Sequence, residues 1–223
     1  GERWDRVDDH PNIVDLLGTG RREGDPWLVM EYTDGGTLAE RVGEVDIREG
    51  LWILERLADA LLHVHYDQGT THLDLTPSNV LFRSVERGWD VPKIADWGLA
   101  RESADLSISV HGLTVEYAAP EQRPLTDDPL SPRTDLYQLG IICYELFAGS
   151  PPFTSESEVL SYHRGNEPFP ELTAVDAGIQ TQLDDTIRQL VALDPDDRYK
   201  TPERVLKDIR SIHQRIVEQK PQR

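Results

Sequence analysis

Cysteine occurs once in the 223 residues, at Cys143, and methionine once, at Met30. A single thiol excludes an internal disulfide framework and a cysteine-built zinc site. Basic residues are outnumbered, 23 Lys and Arg facing 41 Asp and Glu, for a formal charge of −18. So negative a chain repels phosphate backbones and anionic headgroups, which argues against non-specific nucleic-acid binding and lipid docking. No apolar run approaches the roughly 18 residues of a membrane-spanning helix. The chain opens on Gly with no basic-then-apolar leader, so no signal peptide is expected. The expectation is a cytoplasmic domain.

A hydrophobic fraction of 38%, with five Trp, seven Tyr and four Phe, is too rich for a disordered chain. The length suits one large domain or two small ones. Lysine is the scarcer cation: Lys93, Lys200, Lys207 and Lys220 stand alone, and the rest of the 23 are Arg. That balance points to a halophilic surface that stays hydrated at high salt, with an ordinary acidic protein as the alternative. On the halophilic reading carboxylate repulsion weakens the fold where screening is poor. The melting temperature is then expected to rise from dilute buffer to molar KCl, and a flat response removes the idea.

Two apolar runs, 12–17 and 27–30, flank a turn-rich stretch at 18–26, so two short strands are expected after a helix end. Ile47, Leu51, Leu54, Ala58, Leu61 and His65 form one stripe of an amphipathic helix that Gly69 stops. Val80–Phe82 and Pro92–Ala95, around Arg87-Gly88, predict a hairpin. Residues 99–132 lack periodicity and read as a long ordered loop. Thr134–Phe147 predicts a buried helix closed by Gly149. Two further helices are expected at Ile179–Leu193 and at Pro202–Val217, the second after Thr201, with a frayed tail from Glu218.

Chemistry-bearing residues concentrate around that hairpin. Asp74 lies five residues before Asn79, and Asp96 follows in Ala95-Asp96-Trp97-Gly98. If the three converge, one carboxylate can accept a hydroxyl proton while a carboxylate and an amide oxygen hold Mg²⁺, a hard ion. Taken singly, Asp74 reads as a turn cap, and Asn79 and Asp96 as Asx-turn residues. His72 reads as a buried brace, His63 and His65 as helix residues, and Cys143 as core.

In order, the chain shows His72-Leu73-Asp74 with Asn79, Asp96-Trp97-Gly98 and Ala119-Pro120-Glu121. It also shows His10-Pro11-Asn12-Ile13-Val14, Met30-Glu31-Tyr32 with Gly35-Gly36, Asp135, and Asp194-Pro195 with Arg198. The combination resembles the eukaryotic-type Ser/Thr protein kinase family over essentially the whole chain. The resemblance implies an α+β, protein-kinase-like fold. Residues 1–29 would be a partial β-rich N-lobe, 30–36 a hinge and 37–223 a mainly helical C-lobe.

The same resemblance implies ATP and Mg²⁺ as cofactors and a protein with a Ser or Thr acceptor as partner. Asp74 would be the base, with Asn79 and Asp96 as magnesium ligands. Met30 would be the gatekeeper, Glu31 and Thr33 would read the adenine edge, and Leu81 would floor the ring. Thr114 would reach Asp74 through its hydroxyl and favour Ser/Thr over Tyr acceptors. Arg198 would pair with Glu121, and Asp135 would accept N–H groups of the catalytic loop.

Several positions depart from the pattern. Leu73 replaces the usual Arg, so pairing with a phosphorylated activation segment is not expected, and Ser103, Ser107 and Ser109 are weak phosphosites. Thr76 replaces a Lys that contacts the transferring phosphate, a loss of about 10²–10³-fold in rate if uncompensated. No glycine-rich loop or strand-three lysine is present. The start therefore resembles the last turns of the family's C-helix, an N-terminal truncation, with Glu2 as a surface glutamate. An active kinase, a pseudokinase scaffold and, less well matched, a small-molecule kinase all stay open.

Overall fold

The computed structural model describes residues 10–23, 25–97, 101–102, 114–172 and 177–218. Glu2, Gly98, Ser103, Ser107, Ser109 and the tail beyond Glu218 lie outside them.

Strand β1 spans Leu16–Arg22 and pairs antiparallel with β2, Asp25–Met30, with Leu16 opposite Met30, a register shift before Gly18, and then an even ladder to Arg22 opposite Asp25. Gly18 and Gly20, expected in a connection, are therefore inside a strand. Packing explains the difference: a Cβ on Gly20 would fall 2.2 Å from the Trp27 ring, so the bare backbone seats the indole. The first apolar run does different work. Ile13 bridges Ile94, with Val14 N–H donating to Ile94 C=O (2.9 Å) and Ile94 N–H to Asn12 C=O (2.8 Å).

Helix α1, Ile47–Asp67, is capped by Asp46, whose Oδ1 accepts from Arg48 N–H (2.8 Å) and Glu49 N–H (3.0 Å). Its expected stripe is largely buried through Leu51, Leu54, Ala58 and Leu61, and Gly69 follows at φ 59°. Short strand β3, Thr70–Thr71, pairs with β6, Arg101–Glu102, within the region expected as loop. The predicted hairpin forms as β4, Val80–Arg83, and β5, Val91–Ile94. Gly35 and Gly36 lie along its edge: Gly35 N–H donates to Phe82 C=O (2.8 Å) and Phe82 N–H to Gly36 C=O (2.9 Å).

Helix α2, Pro132–Ala148, starts two residues earlier than its periodicity indicated, because Ser131 and Thr134 cap it reciprocally. It ends on left-handed Gly149 and is buried along nearly its whole length. Helix α3, Glu156–His163, has no counterpart in the sequence reading; it is short and buries chiefly Val159, Tyr162 and His163. Helices α4, Ala177–Leu190, and α5, Pro202–Glu218, complete the body, and α1 packs on both α2 and α5. Gly140 lets α2 approach α4: a Cβ there would sit 2.7 Å from Leu190 Cβ and from Val191 Cγ1. Gly140→Ala is expected to cost about 1–3 kcal/mol despite its better helix propensity, read as a lowered denaturation midpoint.

Candidate active site

The loop from His72 to Asn79 leaves β3 and enters β4 through a 3₁₀ turn that starts at Pro77. Asp135, at the start of α2, accepts His72 N–H (2.9 Å) and Leu73 N–H (2.8 Å), as expected. His65 contacts the same carboxylate at 2.8 Å, so the α1 stripe ends on this anchor. His72 Nδ1 accepts Asp74 N–H (3.2 Å) and Nε2 donates to Ala95 C=O (2.9 Å), which makes His72 a brace between loop and strand. Leu73 adopts φ 70° and Asp96 φ 58°, left-handed conformations that L-residues keep only when neighbours hold them.

Asn79 Nδ2 donates to Asp74 C=O at 2.8 Å and lies 3.5 Å from Asp74 Oδ2. Ala95 N–H donates to Asn79 C=O (2.8 Å), which brings the Asp96 end of β5 against the loop. Burial is the main reason the Asp74 carboxyl is held above the usual carboxylate range, and the nearby charge of Asp96 pushes the same way. His72 and hydrogen bonds from Thr114 and Asn79 oppose them. Thr114 sits extended and exposed before a 3₁₀ turn, with its main chain on the Asp74 side. Thr76 is buried at the N-cap of the loop's own turn. Trp97 packs edge-on to His72, ring centroids 4.6 Å apart, as an apolar plug.

The adenine-edge candidates lie along residues 30–33 and β4. Leu81 is half-buried and bridges Thr37, and Thr33 is half-buried. Met30 is 42% exposed, because no other described strand pairs with the β1–β2 hairpin. Glu31 N–H donates to Asp15 C=O (2.9 Å), and its carboxylate pairs with Lys93 (2.6 Å).

A family profile described as protein kinase domain matches residues 3–209. The chain belongs to the protein kinase family. Similar proteins include serine/threonine-protein kinase PknB of Mycobacterium tuberculosis (strain ATCC 25618 / H37Rv), 33% identical over 217 residues covering 92% of this kinase chain and 34% of that protein. PknB of Mycolicibacterium smegmatis is 32% identical over 219 residues, with 92% and 34% coverage. PknL of M. tuberculosis is 32% identical over 212 residues, with 92% and 51% coverage. The kinase chain thus spans about a third of the length of the PknB proteins it matches.

The α+β, kinase-like architecture agrees with this membership. So does the tie between Glu121 and Arg198, which form two buried bonds of 2.6 and 2.8 Å. Three contributors escaped the sequence reading. Lys93, buried on β5, donates to Ile13 C=O (2.8 Å) as well as to Glu31, and so fastens the segment after β2 to the body. The only signal was the first lysine of the chain standing in a strand. Gln122 and Gln138 are the others, polar residues at buried positions, and both grip the catalytic loop.

The donor set suits a hard divalent cation. Asn79 spends its amide nitrogen on Asp74, so its Oδ1 is the atom that could serve a cation, and Asp96 supplies a carboxylate within electrostatic reach of Asp74. Among the described residues no group of three or more His, Cys, Asp or Glu could hold a metal. A magnesium ion shared with substrate phosphates needs only one or two protein carboxylates.

Proposed function

We propose that this kinase domain transfers the γ-phosphoryl group of ATP to Ser or Thr hydroxyls of proteins. The carrying observation is the Asp74–Asn79 contact in the braced loop, with the Asp96 end of β5 bonded against it through Ala95. Asp74 takes the role of base for the acceptor hydroxyl. Asn79 and Asp96 would hold Mg²⁺, which when bound neutralises phosphate charge. Glu31 and Thr33 offer main-chain groups to the adenine edge, with Leu81 beneath the ring and Met30 as gatekeeper. Thr114 joins the site through its main chain, and Thr76 occupies the phosphate-facing position without a cation. Residues 1–29, 30–36 and 37–223 then act as partial N-lobe, hinge and C-lobe.

A pseudokinase reading is favoured by two residues only, Leu73 and Thr76. It lacks an explanation for why Asp74 is kept ionisable beside a second carboxylate. Leu73 further implies that no charged partner at this position awaits a phosphorylated segment, so the rate should not respond to phosphatase treatment. No helix among the described residues is long and apolar enough to cross a membrane; we place the domain in the cytoplasm, and its acidic surface in a high-salt interior.

The test is transfer from γ-labelled ATP to a generic protein acceptor with Mg²⁺. Label on Ser or Thr that EDTA reduces to background is expected. Label that never exceeds background with Mg²⁺ present would overturn the reading in favour of the scaffold.

A further inference from the structure

We propose that Gln138 and Gln122 form an uncharged clamp that fixes the main-chain groups on both sides of Asp74, and so position its carboxylate for transfer. This rests on the reading of Asp74 as the base. Gln138 lies three residues beyond Asp135 on α2, so both side chains emerge on the face that meets the loop. Its Oε1 accepts Leu75 N–H at 2.9 Å, and its Nε2 donates to Leu73 C=O at 3.1 Å. A single side chain thus holds the group just before Asp74 and the group just after it.

Gln122 closes the arrangement from the segment that follows Ala119-Pro120-Glu121. Its Nε2 donates to Leu73 C=O at 2.7 Å, and its Oε1 accepts Ala119 N–H (2.9 Å) and Gln138 Nε2 (3.1 Å). Both lone pairs of the Leu73 carbonyl are therefore used. The amide orientations are determined as a set, since turning either Gln would face donor to donor. Gln138 is 1% exposed and Gln122 2%, so water does not compete for these bonds.

The bonds fall where the backbone most needs them. Leu73 is left-handed, and with Asp135 on its N–H and two glutamines on its C=O it cannot relax. Because the clamp carries no charge, it needs no phosphate to assemble. Salt screening, which weakens ion pairs at the surface, leaves it intact. It also ties the end of the activation segment to the catalytic loop, so the two move as one.

The test pairs Gln138→Met, similar in length but without polar groups, with Gln122→Glu, which keeps the acceptor for Ala119 N–H and loses the donor to Leu73. Gln138→Met is expected to lower kcat by about 100-fold with KM for ATP changed less than about two-fold, the signature of a misplaced base. Gln122→Glu should lower kcat by about 10-fold, because one donor to Leu73 remains. Amide hydrogen exchange supplies a readout independent of activity. Leu75 N–H should exchange at least about 10-fold faster in Gln138→Met while the α2 amides stay protected.

Unchanged kcat in a variant whose Leu75 amide has been freed overturns the positioning role. Unchanged exchange at Leu75 overturns the clamp itself. If the wild-type domain transfers no phosphate, the proposed function fails, and exchange alone still decides whether the clamp holds the loop. If Gln138→Met does not fold, Gln122→Glu carries the kcat readout, and an unchanged kcat in that variant overturns the positioning role.

Discussion

Asp74→Asn is expected to lower kcat by about 10²–10⁴-fold, the span associated with a positioned general base. Asparagine preserves the shape and the Asn79 contact to the main chain, so the loss reports the missing proton acceptor. The same substitution should not destabilise the fold. Burial and the charge of Asp96 raise the Asp74 pKa above the unfolded value, so the folded state binds this proton more tightly than the unfolded chain does. The favourable contribution of such a group is complete below its unfolded pKa and lost as pH rises through the folded one. At neutral pH the ionised Asp74 therefore costs stability, and the neutral amide removes that cost. Thermal melts at pH 7 should place the variant at or above wild type, while kcat/KM of the wild type falls on acidification at a pH above the usual Asp range. Transfer retained by a well-folded variant would remove Asp74 from the mechanism.

The second large effect is structural. Arg198→Met is expected to destabilise the domain by about 3–5 kcal/mol, the cost of leaving a buried charge without its partner. Arg198 and Glu121 are both fully buried. All five guanidinium donors are engaged: two on Glu121, and one each on the carbonyls of Ala192, Arg133 and Leu193. After the substitution the Glu121 carboxylate keeps only the Thr134 hydroxyl (2.9 Å). For a domain of this size the loss corresponds to a Tm lower by roughly 6–20 °C. Replacing Glu121 with Met as well should recover much of the stability, because no uncompensated charge remains. A double variant as unstable as the single one would show that the pair contributes packing and not charge balance.

Family membership was legible because it rests on residue types in fixed order. His72, Asp74, Asn79 and Asp96 were recognisable as a set, and Asp135 and Arg198 found their expected partners. Helices α1, α2 and α5 were readable because each places apolar residues at helical spacing between a cap and a stop. The 18–22 strand was hidden because Gly18 and Gly20 carry turn propensity, and Trp27, whose ring takes the space a Cβ on Gly20 would need, is placed only by pairing. Helix α3 was hidden because eight residues with few apolar positions give too short a period to register.

Composition and residue order alone pointed to an acidic, cysteine-poor chain with the motifs of the protein kinase family in order. Tertiary structure decided how the loop from His72 to Asn79 is held, by Gln122 and Gln138, and how the segment after β2 is fastened to the body, by Lys93 on Glu31 and Ile13. Those bonds join segments tens of residues apart, and a hydrogen bond between distant segments leaves no periodic trace in the chain that makes it.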